Sequence, residues 1–72
     1  MPHVVIHELD PLRFYLTKDG KMLDDDFEGT TAMADAMKKA KRVAGYGGTV
    51  SVKHRGEDER VIWEPVPGEI IP

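Results

Sequence analysis

Few side chains in this sequence could do chemistry, and their spacing decides against most of what they could do. His3 and His7 lie four residues apart in "HVVIHEL", a segment rich in β-branched residues whose alternation reads as a strand. On one strand face they would stand about 13 Å apart, too far for two imidazoles to share a metal ion. "DDDFEG", residues 24–29, groups carboxylates that a hard cation could use, but it lacks the alternating ligands, central Gly and closing Glu of a helix-loop-helix calcium loop. Ser51 is flanked by valines and has no nucleophile-elbow sequence around it. "GYGG", residues 45–48, follows the helical segment rather than preceding it, at the end whose dipole disfavours phosphate. These residues supply no catalytic, cofactor-binding or metal site, so the expected protein is not an enzyme and takes no cofactor.

The elements that must position the remaining side chains are bounded by size. With 72 residues and no Cys, the chain has room for one small core held by packing alone. The expected organisation is a compact domain over residues 1–64 and a proline-rich tail, "PVPGEIIP", over residues 65–72. Hydrophobic content of 40% and charged content of 32% are those of a folded soluble chain. The opening lacks the basic start and continuous apolar stretch of a secretory signal, and no run reaches membrane-spanning length. A cytoplasmic protein without membrane contact is expected.

Alternation continues after the Asp10-Pro11 turn in "RFYLTK", giving a first hairpin with Val4, Ile6, Phe14 and Leu16 inward. Asp19-Gly20 is a second turn, after which Lys21 to Leu23 extend the sheet briefly before an acidic loop from Asp24 to Gly29. The period then changes. Met33, Ala36, Met37, Ala40, Val43 and Ala44 recur at helical spacing, which predicts a helix over about residues 31–44, with Thr30 or Thr31 as N-cap and Gly45 as its left-handed end. "TVSVKH" and "RVIWE" supply a second hairpin, with Val50, Val52, Val61 and Trp63 inward. The expected fold class is α+β, a ββαββ order with a four-stranded antiparallel sheet and one amphipathic helix on one face.

That layout, the opening "HVV", the Thr-initiated helix with Ala36 and Ala40, and the exit "GGTVSVKHRGEDERVIWE" resemble a family of small bacterial and phage domains of unknown function. The likeness spans most of residues 3–64 and departs from the family pattern in the acidic insertion and the tail. It implies the fold and a phage-type accessory setting, and it carries over no site.

Two kinds of surface are left for function. Asp24, Asp25, Asp26 and Glu28 stand before the helix, and Lys38, Lys39, Lys41 and Arg42 near its end. This polarity complements the helix dipole, each charge contributing roughly 0.3–1 kcal/mol, and it also offers a contact for an acidic partner or a patch that imitates a phosphate backbone, as an inhibitor would. The sheet face away from the helix is expected to show Val5, His7, Arg13, Tyr15, Thr17, Ser51, Lys53, Arg60 and Ile62. A protein-interaction or regulatory module is expected, forming a weak homodimer through that face or covering it with Ile70 and Ile71. The alternative is a nucleic-acid-binding module with Tyr15 as a stacking platform, which the net charge of -3 disfavours.

Overall fold

The structure, a computed structural model, describes residues 2–45 and 47–64, without the side chains of Asp24 and Asp25. The expected tail, with Ile70 and Ile71, lies outside the described residues, as does Tyr46. Among the described residues, five strands and one helix follow in the order β1 (His3–Asp10), β2 (Arg13–Lys18), β3 (Lys21–Glu28), α1 (Ala32–Ala44), β4 (Thr49–Lys53) and β5 (Arg60–Trp63). The class is α+β with one helix, as expected.

The sheet differs from expectation. It has five strands among the described residues, in the order β3-β2-β1-β4-β5, and it is mixed: β1 is antiparallel to β2 and parallel to β4. The difference begins at the acidic segment, which is not a loop. Asp24, Asp25, Asp26 and Glu28 belong to the edge strand β3, where Leu23 and Phe27 pack against the core and hold the strand on the sheet. The register shift between Tyr15 and Thr17, where Asp26 and Met22 stand opposite, takes up the extra residues as a bulge in β3. A third antiparallel strand points the chain the same way as β1. The helix then returns it across the sheet, so β4 enters beside β1 in parallel rather than as a separate hairpin.

The helix packs where its stripe dictates. Ala32, Ala36, Ala40 and Ala44 are buried at four-residue spacing, and their small side chains let the helix lie close on Val4, Ile6, Phe14, Leu16, Val50 and Val52. Met33, Met37 and Val43 flank that contact. The helix starts one residue after Thr31, whose hydroxyl makes no cap and instead donates to Asp35 Oδ2 at 3.0 Å. It ends at Gly45, whose φ of 67° lies in the left-handed region and whose N–H reaches Lys41 O at 3.1 Å. Gly48 is a steric necessity: a Cβ there would strike the carbonyl oxygens of Ala44 and Pro2, where the helix exit passes the start of β1. No helix among the described residues is long and apolar enough to cross a membrane.

Candidate functional site

Register places the side chains of the face away from α1 as it placed those of the core. On β1 this face carries His3, Val5 and His7; β2 adds Thr17 opposite Val5 and Tyr15 opposite His7; β4 adds Thr49, Ser51 and Lys53 opposite the same three β1 residues. Val61 of β5 stands opposite Ser51. The expected members Val5, His7, Tyr15, Thr17, Ser51 and Lys53 therefore come together.

Arg60 and Ile62 do not join them. The ladder between β4 and β5 shifts register between Val50 and Ser51, so Val50 faces Trp63 while Ser51 faces Val61. This bulge breaks the alternation on which the expectation rested. Ile62 joins Trp63 against the core, and Arg60 pairs with Val52 on the helix side. Val61, expected inward, is 48% exposed. Arg13 lies toward the β3 edge of the face, where its guanidinium donates to Asp26 at 3.2 Å.

The centre of the face is ordered by direct contacts. The rings of His7 and Tyr15 stack with centroids 4.6 Å apart and planes 7° from parallel. His7 Nε2 and Thr17 Oγ1 share a hydrogen bond of 2.9 Å. Burial pushes the His7 pKa below its ordinary value, with Lys53 adding to the shift and Glu59 opposing it, so the ring is neutral at neutral pH. Neutral imidazole is the form that stacks on a phenol without a desolvation cost.

A second cluster lies beside it. His3 bonds through Nδ1 to Thr49 Oγ1 at 2.6 Å and through Nε2 to Glu59 Oε2 at 2.7 Å. The His3 bond is the main reason the Glu59 carboxyl is held below its usual pKa, and the nearby Ser51 hydroxyl contributes. Ser51 Oγ is itself buried and has no well-formed hydrogen bond. The serine is fully enclosed, so it presents no nucleophile to an incoming substrate. Glu59 was missed in the sequence because it falls between the turn-like "RGED" and the strand read from Arg60. Alternation could not have found it: with Val61 expected inward, Glu59 two residues earlier falls on the helix side, and only the β4–β5 register shift brings both to the face of Ser51.

The end of β1 is tied down in a similar way. Glu8 accepts from the Arg55 backbone N–H at 2.9 Å and lies 3.4 Å from His54 Nδ1, which lowers its pKa, the backbone bond first. His54, half-buried just beyond β4, thus steadies the β4–β5 turn. On the helix, Lys38, Lys41 and Arg42 are exposed and Lys39 is half-buried. Among the described residues no ion pair engages Lys38, Lys41 or Arg42, and no three His, Asp or Glu side chains converge as metal ligands. Comparison of the chain with family models, with curated proteins and with solved structures returned no match.

Proposed function

We propose that this chain is a small non-enzymatic protein-interaction module whose contact surface is the sheet face opposite α1. The observation that carries the reading is the stacked His7–Tyr15 pair, anchored to Thr17 on the adjacent strands β1 and β2 and bordered by exposed Lys53 and Val61. Side chains already fixed before binding lose little conformational freedom on contact, which favours a defined partner surface over a merely solvated face. The likeness to small phage and bacterial domains adds an accessory or inhibitor setting to this reading. The protein works in the cytoplasm, and a weak homodimer is one form the contact takes.

Nucleic acid is the less favoured partner. A base needs a free aromatic face on which to stack, and Tyr15 already gives one ring face to His7. Arg13 is paired with Asp26, Arg60 lies on the other side of the sheet, and the net charge is -3. Affinity capture from cell extract tests the choice, comparing wild type with Lys53→Glu on this face and Lys38→Glu on the helix. A protein retained by wild type and Lys38→Glu but lost from Lys53→Glu supports the proposal. Equal capture by all three sinks it.

A further inference from the structure

We infer that the turn joining β1 to β2 is a second contact site, an apolar knob that fits a hydrophobic pocket on a partner protein. Among the described residues four large hydrophobic side chains are exposed, and two of them, Leu9 at 42% and Leu12 at 53%, lie at this one turn. Pro11 between them is exposed as well. Leu9 is not where plain alternation would leave it. The β1–β2 ladder pairs Glu8 with Phe14 and Asp10 with Arg13, so Leu9 is the extra residue of a bulge, a device that re-aims a side chain. The turn is also braced before any contact is made. Leu12 O accepts from the Gly29 N–H at 2.8 Å, Glu8 accepts from the Arg55 N–H at 2.9 Å, and the Arg55 guanidinium reaches Asp10 at 3.5 Å. Pro11 fixes its own φ. Apolar groups held on a fixed backbone lose little freedom when they dock.

Shape and charge select the occupant. A two-residue turn at the end of a hairpin is convex, so two such turns meeting tip to tip would cover far less than the ~800 Å² per partner of a stable pair. A second copy seated on this site is therefore excluded by area, and a knob of this size needs a concave counterpart. A lipid surface is disfavoured by charge. Asp10 stands between the two leucines, Asp26 and Glu28 crowd Arg13, and the two cations beside the turn, Arg13 and Arg55, are each already paired with an acid. Nothing there answers the anionic headgroups that hold peripheral proteins on a bilayer. An apolar pocket in a protein asks for no such cation, and its rim can take up the exposed Asp10–Arg55 pair. The site goes beyond the open sheet face proposed above and uses none of the side chains that carry that reading.

A photoreactive leucine analogue tests the site in the intact chain. Of the four leucines, Leu16 is enclosed and Leu23 half-buried, so Leu9 and Leu12 are the ones a partner can meet. The labelled chain is irradiated in extract of the source organism and protein adducts are mapped by mass spectrometry. The adducted protein is then purified and titrated by calorimetry against wild type, Leu9→Ser, Leu12→Ser, the double variant and Lys53→Glu. Circular dichroism checks that each variant folds. Each single leucine variant should raise the dissociation constant roughly tenfold, and the double variant about a hundredfold. That result, on a protein crosslinked at Leu9 or Leu12, supports the inference. No protein adduct at either leucine, or a double variant that binds as wild type does, overturns it. Loss with Lys53→Glu alone also overturns it and leaves the open-face reading standing. Flotation of wild type, but not of the double variant, with vesicles of phosphatidylcholine and phosphatidylglycerol overturns it in favour of lipid.

Discussion

The two faces of the sheet come from the same strands and the same register, yet they are ordered by different forces. Under the helix, Val4, Ile6, Leu16 and Val50 are fully buried against a row of alanines, and order there comes from close packing of branched chains on small ones. On the other face Val5 and Ser51 are also buried, but their surroundings are polar: a His–Tyr stack, a His–Thr bond and a His–Glu pair. Packing on the first face tolerates no loss of volume. Polar contacts on the second can be exchanged for water at small cost, so that face can vary while the first fixes the fold.

Truncation inside the helix-covered face should cost most. Leu16→Ala removes a fully enclosed side chain and is expected to lower unfolding free energy by about 2–5 kcal/mol, close to the whole margin of a domain this small. Denaturant melts at constant slope would check it. Val5→Ala, 6% exposed on the opposite face, removes two methyl groups among polar neighbours and is expected to cost about 1.6 kcal/mol. A loss at Val5 equal to that at Leu16 would erase the distinction between the faces.

How far the sequence disclosed this difference depends on the element. The helix was legible because Ala36, Ala40 and Ala44 repeat at a helical period, and β1, β2 and β4 because alternation and turn residues agree. β3 was legible only at its start, Lys21 to Leu23, since the four acids within five residues that follow look like a solvated loop, and only Leu23 and Phe27 betray the full strand. The parallel pairing of β1 with β4 could not be read before β3 was known, because one missed strand reverses the chain's direction. Ile62 and Arg60 were misplaced by a bulge, which alternation cannot anticipate. The open-face network escaped notice for a further reason: the His3–Glu59 bond spans 56 positions in sequence and exists only once β1, β4 and β5 are adjacent.

The polar face should also respond to pH, and the covered face should not. Because burial lowers the His7 pKa from 6.5, the fold binds fewer protons there than the unfolded chain does. Its contribution is complete above pH 6.5 and declines as pH falls toward the folded value. Glu59, likewise lowered from 4.5, contributes above that value and loses its share as pH falls through the folded one. Both shifts make acid destabilising, and the Glu59 part is small because its side chain is 43% exposed. Nuclear magnetic resonance should place the His7 midpoint below 6.5. Glu59→Gln should flatten the stability profile below pH 4.5, and an unchanged profile would remove Glu59 from the account.

The smallest expected effect discriminates most finely between the faces, and it falls on Ser51. Its hydroxyl is enclosed without a well-formed bond, which ordinarily costs about 1–3 kcal/mol for an unsatisfied buried group, yet it lies near enough to Glu59 to favour the carboxylate. Ser51→Ala removes that unsatisfied group and one weak contact together. The two changes oppose each other, so stability at pH 7 should shift by less than about 0.5 kcal/mol in either direction, while the Glu59 midpoint rises slightly as it loses one donor. A buried strand position that tolerates losing its only polar side-chain atom would mark the open face as one where polar contacts are interchangeable. A loss above about 1 kcal/mol would mean that the hydroxyl donates to Glu59 in solution, making Ser51, Glu59 and His3 a single structural unit with little freedom to vary.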